Sequence, residues 1–428
     1  METLGPQVGG RPRLLFIAPW FLFPANTGGR IRSRDILRGL KGGRFEVTLV
    51  SPAPLDAKDH AQDIAGVCDR FVGWPAPQRG PLFRYTRLRH LTSDMPISVA
   101  TDWSELGQAA IDAELARRPE VAVVDFAHTA VFTPRRLAVP SVLFTHNVEA
   151  QIFGRHAEVA GNPLVRAVWR NQWDKMRRFE RAALGRFDGV IAVSEQDREI
   201  FAKDYGIEKV HVIPTGVDLD YFGAPQATAR PEEPDGETMV FTGSMDWMPN
   251  IDAIEFFMDQ VWPLIIARRP KARAVIVGRT PPQRLIDQAK RRGFAIEFTG
   301  RVEDVRPFVH AAQVYVIPLR VGGGTRLKVF EAMAMGCPMV STGIGVEGLP
   351  LEPETHYLLA DTPEAFAGAV LRLLDDPGLR ARIAAEAGRH VAANFSSAGV
   401  ARSFEAICAE VAGLADEPGQ AVRAASQA

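Results

Sequence analysis

The sequence predicts an α/β protein of two doubly wound, Rossmann-like domains that face one another across a cleft. Three observations carry this. At 428 residues the chain is longer than one hydrophobic core serves, so two domains of roughly 200 residues are expected. Short apolar runs bounded by turn residues alternate with helical patterns in both halves, the pattern of parallel strands joined by crossover helices. A polar segment over residues 223–237, rich in proline and acid, interrupts that alternation midway. In open sheets of this kind ligands bind beyond the carboxyl ends of the strands, so the expected ligand site is the cleft between the domains.

In chain order, residues 13–19 read as a buried strand, followed by a loop through Gly28 and Gly29 and a helix over 30–39. Further strands are expected at 46–50, 121–124, 141–144 and 189–193. The second half repeats the theme with strands at 239–242, 274–277, 296–298, 314–317 and 339–340, and a helix over 251–267. The expected division is a flexible terminus over 1–10, a first domain over 11–215, a second over 216–390, a helical segment over 391–415 packing back on the first domain, and a fraying tail over 416–428.

Composition narrows the function classes. Lys and Arg number 50 against 51 Asp and Glu, a net charge of −1 that gives no global attraction for nucleic acid. The three cysteines, Cys68, Cys337 and Cys408, are scattered and lack metal-ligand spacing, as in a protein of a reducing compartment without structural zinc. Residues 1–13 hold no apolar run long enough to be expected as a signal peptide, and about 18 consecutive apolar residues occur nowhere in the sequence. A cytoplasmic protein is expected, soluble or peripheral on the membrane.

Residues 321–342 carry the strongest chemical signal. Gly322, Gly323 and Gly324, with Thr325, free the backbone N–H groups to approach a ligand and lead into a helix whose N-terminus attracts anions. Arg326 and Lys328 add cations at the same end. Glu331 follows one to two turns on, able to accept from vicinal hydroxyls. Gly336 ends the helix and Pro338 prevents its continuation. Phosphate seat, cations and diol acceptor in this order suit a nucleotide sugar. The plain alternative is a glycine-rich surface turn with an ordinary helix behind it. His128 and His146 each follow an expected strand, at the carboxyl edge where ligands bind.

Together, residues 27–29, 188–194, 213–218, 241–243 and 322–336 resemble the retaining glycosyltransferases of family four, which have the GT-B fold. The likeness extends over about residues 11–412 and is strongest toward bacterial members used in exopolysaccharide or cell-surface glycan assembly. It implies a first domain for the acceptor and a second for the nucleotide sugar. The implied reaction transfers a sugar from a nucleoside diphosphate to a glycan or lipid-linked acceptor with retention, without metal or cofactor. His128, Arg326 and Lys328 would serve catalysis. Gly28, Gly29, Gly243, Ser244, Gly322, Gly323, Gly324, Thr325 and Glu331 would hold the donor, and His146 and Asn147 would face the acceptor. Two departures stand out. Gly323 occupies the place of the first of the family's two glutamates, and no cation follows Phe241-Thr242-Gly243, so Arg326 and Lys328 are expected to neutralise the diphosphate. Rival readings are a nucleotide-sugar epimerase or hydrolase of this architecture, and a non-catalytic scaffold.

Other motifs carry less. Asp218 and Asp220 match a metal-binding Asp-x-Asp, but their place in a Pro-Thr-Gly-Val turn makes Asp218 a brace for that turn. Residues 343–348 match Gly-x-Gly-x-x-Gly, yet Pro350 prevents a helix from opening there; they remain a candidate loop at the donor pocket. Cys337 reads as a small apolar residue in a turn. Val165, Trp169, Trp173, Met176 and Phe179 recur at helical spacing among arginines, which suits either a core-packed helix with a solvated basic face or contact with anionic lipid. Arg84, Arg87 and Arg89, beside Phe83 and Tyr85, form a second basic patch.

Overall fold

The computed structural model describes residues 10–25, 27–76, 83–223, 237–321 and 326–414. The chain divides into two compact units, one comprising residues up to Pro214 together with those from Val400 onward, the other Thr215–Gly399.

The first unit is a seven-stranded sheet of β1 (Arg13–Ile17), β2 (Glu46–Ala53), β3 (Arg70–Pro75), β4 (Val121–Asp125), β5 (Ser141–Phe144), β6 (Gly189–Ala192) and β7 (Val210–Val212), in the order β3-β2-β1-β4-β5-β6-β7. Every pairing is parallel, with Leu14 opposite both Val47 and Val121. The period of two along β1 sends Leu14 and Phe16 into one core and Leu15 and Ile17 into another, so the sheet is buried on both faces. The helix Ser397–Val411 closes one of these cores, placing Phe404 5.2 Å from Phe144 between ring centroids.

The second unit holds β8 (Thr238–Thr242), β9 (Arg273–Val277), β10 (Ile296–Gly300), β11 (Val314–Ile317), β12 (Met339–Ser341) and β13 (Leu358–Leu359), in the order β10-β9-β8-β11-β12-β13. Met239 and Phe241 enter one core and Val240 the opposite one. The strand order reverses between β1 and β4 and between β8 and β11, so both sheets are doubly wound, each with a crevice at its switch point.

The inner strands lie where the apolar runs place them. The strands β3, β7 and β13 escape the sequence reading because they lie at or toward sheet edges; β3 is mostly half-exposed and β13 has only two residues. Two helices differ from expectation. The first spans Gly28–Leu40, so Gly28 and Gly29 open the helix instead of preceding it. The stretch expected as one helix over 251–267 is Met248–Phe256, a π turn over Phe257–Val261, then Trp262–Arg268. Pro263, lacking an N–H, cannot join the regular ladder, and the wider turn accommodates it. Among the described residues no helix is long and apolar enough to cross a membrane.

Close backbone packing fixes the loops at the carboxyl ends of β8 and β9. Gly243 donates to Val277 O at 2.9 Å and Met245 to Arg279 O at 2.9 Å. A Cβ on Gly278 would lie 1.9 Å from Gly243 O, so only glycine fits. Gly278→Ala is therefore expected to destabilise the protein by about 1–3 kcal/mol in urea unfolding. Gly368→Ala, in the helix Pro363–Asp375 with nothing within 4 Å of its added methyl, should stabilise it by about 0.5–1 kcal/mol.

Candidate functional site

In the second unit the helix Leu327–Ala334 begins one residue after Arg326, and Gly336 at φ 66° closes its C-terminus, with Cys337 N donating to Ala332 O. Gly322, Gly323, Gly324 and Thr325 lie outside the described residues. Lys328 Nζ donates to Asn250 Oδ1 at 3.1 Å and rests 4.1 Å above the Phe241 ring centroid. Asn250 Nδ2 in turn donates to Ser244 O at 2.8 Å. A Cβ on Gly243 would come within 2.8 Å of both Lys328 Nζ and Asn250 Nδ2, which explains the glycine at that turn. Gly243, Ser244 and Lys328 are thus gathered at the carboxyl end of β8, with Glu331 near enough to Lys328 for their charges to interact.

Burial sets the charge state of this group. The Lys328 ammonium, withdrawn from water and beside Arg326, is pushed down to about 7 against the opposing pull of Glu331. Burial likewise lifts the Glu331 carboxyl to about 7, with Lys328 working the other way. Arg326 is buried and donates from Nη2 to Ile344 O at 2.9 Å, tying the start of the helix to the turn after β12. That turn is a 3-10 segment of three residues, Ile344–Val346, followed by no helix.

The cation missing after Phe241-Thr242-Gly243 arrives from the neighbouring strand. Arg279, just past β9, donates from Nε to Ser244 Oγ at 2.7 Å and pairs with Asp246 at 3.2 Å. Neither Arg279 nor Asn250 was signalled by spacing, since both reach the site through tertiary contact. Asp218 caps the helix Leu219–Phe222 by accepting from Tyr221 N at 3.0 Å, the turn-bracing role read for it.

In the first unit, Phe126 follows β4 at φ 67°, a left-handed conformation that strains a bulky residue. A Cβ on Gly29 would lie 2.6 Å from Phe126 Cζ, so the glycine makes room for this ring. His146, 4% exposed, stacks on Phe126 at 3.8 Å and donates from Nε2 to Asp125 Oδ1 at 2.6 Å. The second Asp125 oxygen accepts from Ser33 Oγ at 2.7 Å. His128, 8% exposed, packs between Trp20 and Phe126, and its Nε2 has no partner among the described residues. Burial, with a smaller effect from His146, drops His128 to about 4, so it is neutral at pH 7. Burial also lowers His146, against Asp125. Asn147 is half-buried beside it.

Arg32 was not anticipated. It is buried, donates from Nη2 to Ile213 O at 2.5 Å and lies over the Phe144 ring. Burial pulls it down to about 9 despite Asp125 and Asp197. The structure therefore brings Gly29, His128 and His146 together and adds Ser33, Arg32, Asp125 and Phe126.

The basic helix spans Pro163–Leu184. One face packs inward through Met176 and Phe179, and Lys175 Nζ donates to Leu91 O at 2.6 Å. Leu164, at 78% exposure, together with Val165, Val168 and Trp173, faces outward. Of the second basic patch, Arg87 and Arg89 are exposed, while the Arg84 side chain lies outside the described residues.

Residues 27–221 match the sequence profile described as Glycosyltransferase Family 4, and residues 236–376 that described as Glycosyl transferases group 1. A phosphatidyl-myo-inositol mannosyltransferase of Mycolicibacterium smegmatis is 29% identical over 50% of this chain and 55% of its own length. A D-inositol 3-phosphate glycosyltransferase of Rhodococcus jostii is 27% identical over 51% of each. The chain thus spans about half the length of these curated relatives. Among solved structures, sucrose-phosphate synthase from Thermosynechococcus elongatus superposes with a TM-score of 0.69 at 20% identity, covering 95% of this chain and 100% of that one. Anabaena HepE, solved with UDP and glucose, gives 0.63 at 14%, covering 92% and 99%. At such identities the likeness speaks for the fold. With one profile matching most of each half and two doubly wound parallel sheets beneath them, the chain belongs to glycosyltransferase family 4 and has two Rossmann-like domains of GT-B type.

Proposed function

We propose that this protein transfers a sugar from a nucleoside diphosphate sugar to a hydroxyl of a glycan or lipid-linked acceptor, retaining the anomeric configuration and using no metal. The observation that carries the reading is the cluster of Gly243, Ser244, Asn250, Lys328 and Glu331, with Arg326 and Arg279, at the carboxyl ends of β8 and β9. In this account the sugar C1–O bond to the diphosphate breaks and a C1–O bond to the acceptor forms on the same face. The acceptor proton passes to the departing phosphate. The enzyme supplies position and charge: Lys328, Arg326 and Arg279 neutralise the diphosphate, Glu331 takes the ribose hydroxyls, and His128 and His146 serve the transferred sugar and acceptor. Bacterial polysaccharide assembly in the cytoplasm is the setting proposed from the motifs. The inositol acceptors in the relatives' names favour a second reading, an inositol-containing acceptor.

Lys328 links binding to protons. Its pKa near 7 means that the amine is largely neutral at pH 8, and a diphosphate beside it favours the ammonium. Nucleoside diphosphate binding at pH 8 should therefore take up close to one proton, seen as a buffer-dependent calorimetric enthalpy, and weaken as pH rises from about 7 to 9. Lys328→Met should abolish the uptake and weaken binding about tenfold or more. In the same calorimetry Glu331→Gln should erase the preference for ribo- over 2′-deoxyribonucleoside diphosphates. Unchanged affinities in both variants would place the nucleotide elsewhere.

The outward residues Leu164, Val165, Val168 and Trp173, set among arginines, support peripheral contact with anionic lipid. Flotation with phosphatidylglycerol vesicles should fall with added salt and on changing Arg166, Arg170 and Arg177 to Gln. Flotation indifferent to both would leave that face a solvated surface.

A further inference from the structure

The segment that carries His146 and Asn147 is held from an unexpected direction. Thr145 is fixed to β6, its N and Oγ1 both donating to Ile191 O at 2.8 Å. Four residues later the helix Glu149–Val159 begins, and its N-cap position is Val148, whose side chain can accept nothing. A helix start leaves N–H groups in need of acceptors. Here Glu180 supplies them from near the C-terminal end of the neighbouring helix Pro163–Leu184. Glu180 Oε1 accepts from Glu149 N at 2.7 Å and Oε2 from Ala150 N at 3.2 Å. Tyr205 OH adds a third donor at 2.8 Å. The residue is 0% exposed.

A carboxylate is seldom placed so deep for the sake of one helix start, because desolvating it is unfavourable and an apolar or amide residue could fill the space. What the arrangement secures is geometric. Between the Thr145 anchor and the Glu180 cap lie only His146, Asn147 and Val148, so the two fixed points define where the imidazole meets Asp125 and Phe126. We propose that Glu180 is a positioning residue for the reaction, holding the His146 segment in place by capping the following helix across the helix pair. This rests on the reading of His146 as part of the reacting site.

The charge of Glu180 matters to the hold, since a carboxylate accepts from both amides and the phenol, whereas a protonated carboxyl gives up one acceptor. Its surroundings oppose ionisation. Burial raises Glu180 to about 7, with Asp197 pushing the same way and the Tyr205 and backbone bonds pulling it down. Glu149, raised to about 8 by burial and by Glu180, faces it from the capped helix. Arg177, which acts on Tyr205, is the nearby cation on its own helix. The cap should therefore loosen as pH falls through about 7.

The test uses the 428-residue chain uniformly labelled with ¹⁵N, following the His146 ring resonances and the exchange protection factors of the Glu149 and Ala150 amides from pH 6 to 8.5. Wild type is expected to lose protection and shift the His146 resonances together as pH falls through about 7. Glu180→Gln should lower protection about tenfold or more at pH 8 and flatten both pH profiles. Its affinity for UDP or GDP should stay within about twofold of wild type. Tyr205→Phe removes a donor that favours the carboxylate, so it should move the wild-type midpoint to higher pH; this variant decides the matter if Glu180→Gln does not fold. His146 resonances and protection factors that are the same in Glu180→Gln as in wild type, or a midpoint unmoved by Tyr205→Phe, would overturn the proposal. If wild type transfers no sugar, the proposed function falls, while these readouts still decide whether Glu180 positions His146.

Discussion

A parallel sheet covered on both faces leaves one place for polar chemistry, the carboxyl ends of its strands, and both units of this chain answer to that constraint. In the first, Asp125 ends β4 and collects His146 and Ser33. In the second, Gly243 follows β8 and admits Lys328 and Asn250 into the space a side chain would fill. Elsewhere the strands carry apolar residues into cores on either side, so a polar group moved inward by even one register would be buried without partners. The glycines at Gly29, Gly243 and Gly278 serve this edge because each stands where another side chain or the backbone already occupies the space of a Cβ.

The same constraint shapes the electrostatics. Lys328 and Glu331 are each drawn to about 7, His128 to about 4 and Arg32 to about 9, in every case chiefly by burial and in every case toward the neutral form. Lys328 is thus poised to gain a proton where an anion approaches it, while Arg279 stands at the same edge as an exposed guanidinium. For Lys328, drawn to about 7, this departs from the sequence picture of a fixed charge. Arg326 also braces Ile344, and Arg279, bonded to Ser244, is the more exposed guanidinium.

How much of this was legible depended on whether the signal was local. The inner strands were, because burial on both faces demands continuous apolar runs such as Leu14 to Ile17 and Val121 to Val124. The edge strand β3 was not, since its half-exposed residues lack that pattern. Gly336 and Asp218 were legible as a helix stop and a cap, each acting within a few residues of itself. Asn250, Arg279, Asp125 and Glu180 were not. Their partners lie 78, 35, 21 and 31 residues away, and no periodicity records a contact that only the fold creates. The π turn at Phe257–Val261 was foreshadowed by Pro263, although a proline in a helical run does not say whether the helix will stop or widen.

The central claim is retaining, metal-independent transfer from a nucleoside diphosphate sugar. Its most direct test is proton NMR of the anomeric signals during turnover in EDTA, with nucleotide sugars and inositol- or glycan-type acceptors supplied together. The account expects one nucleoside diphosphate released per glycosidic bond formed, with the product anomer matching the donor. An inverted product, an isomerised donor in the absence of acceptor, or turnover that appears only when Mn²⁺ or Mg²⁺ is restored would contradict it.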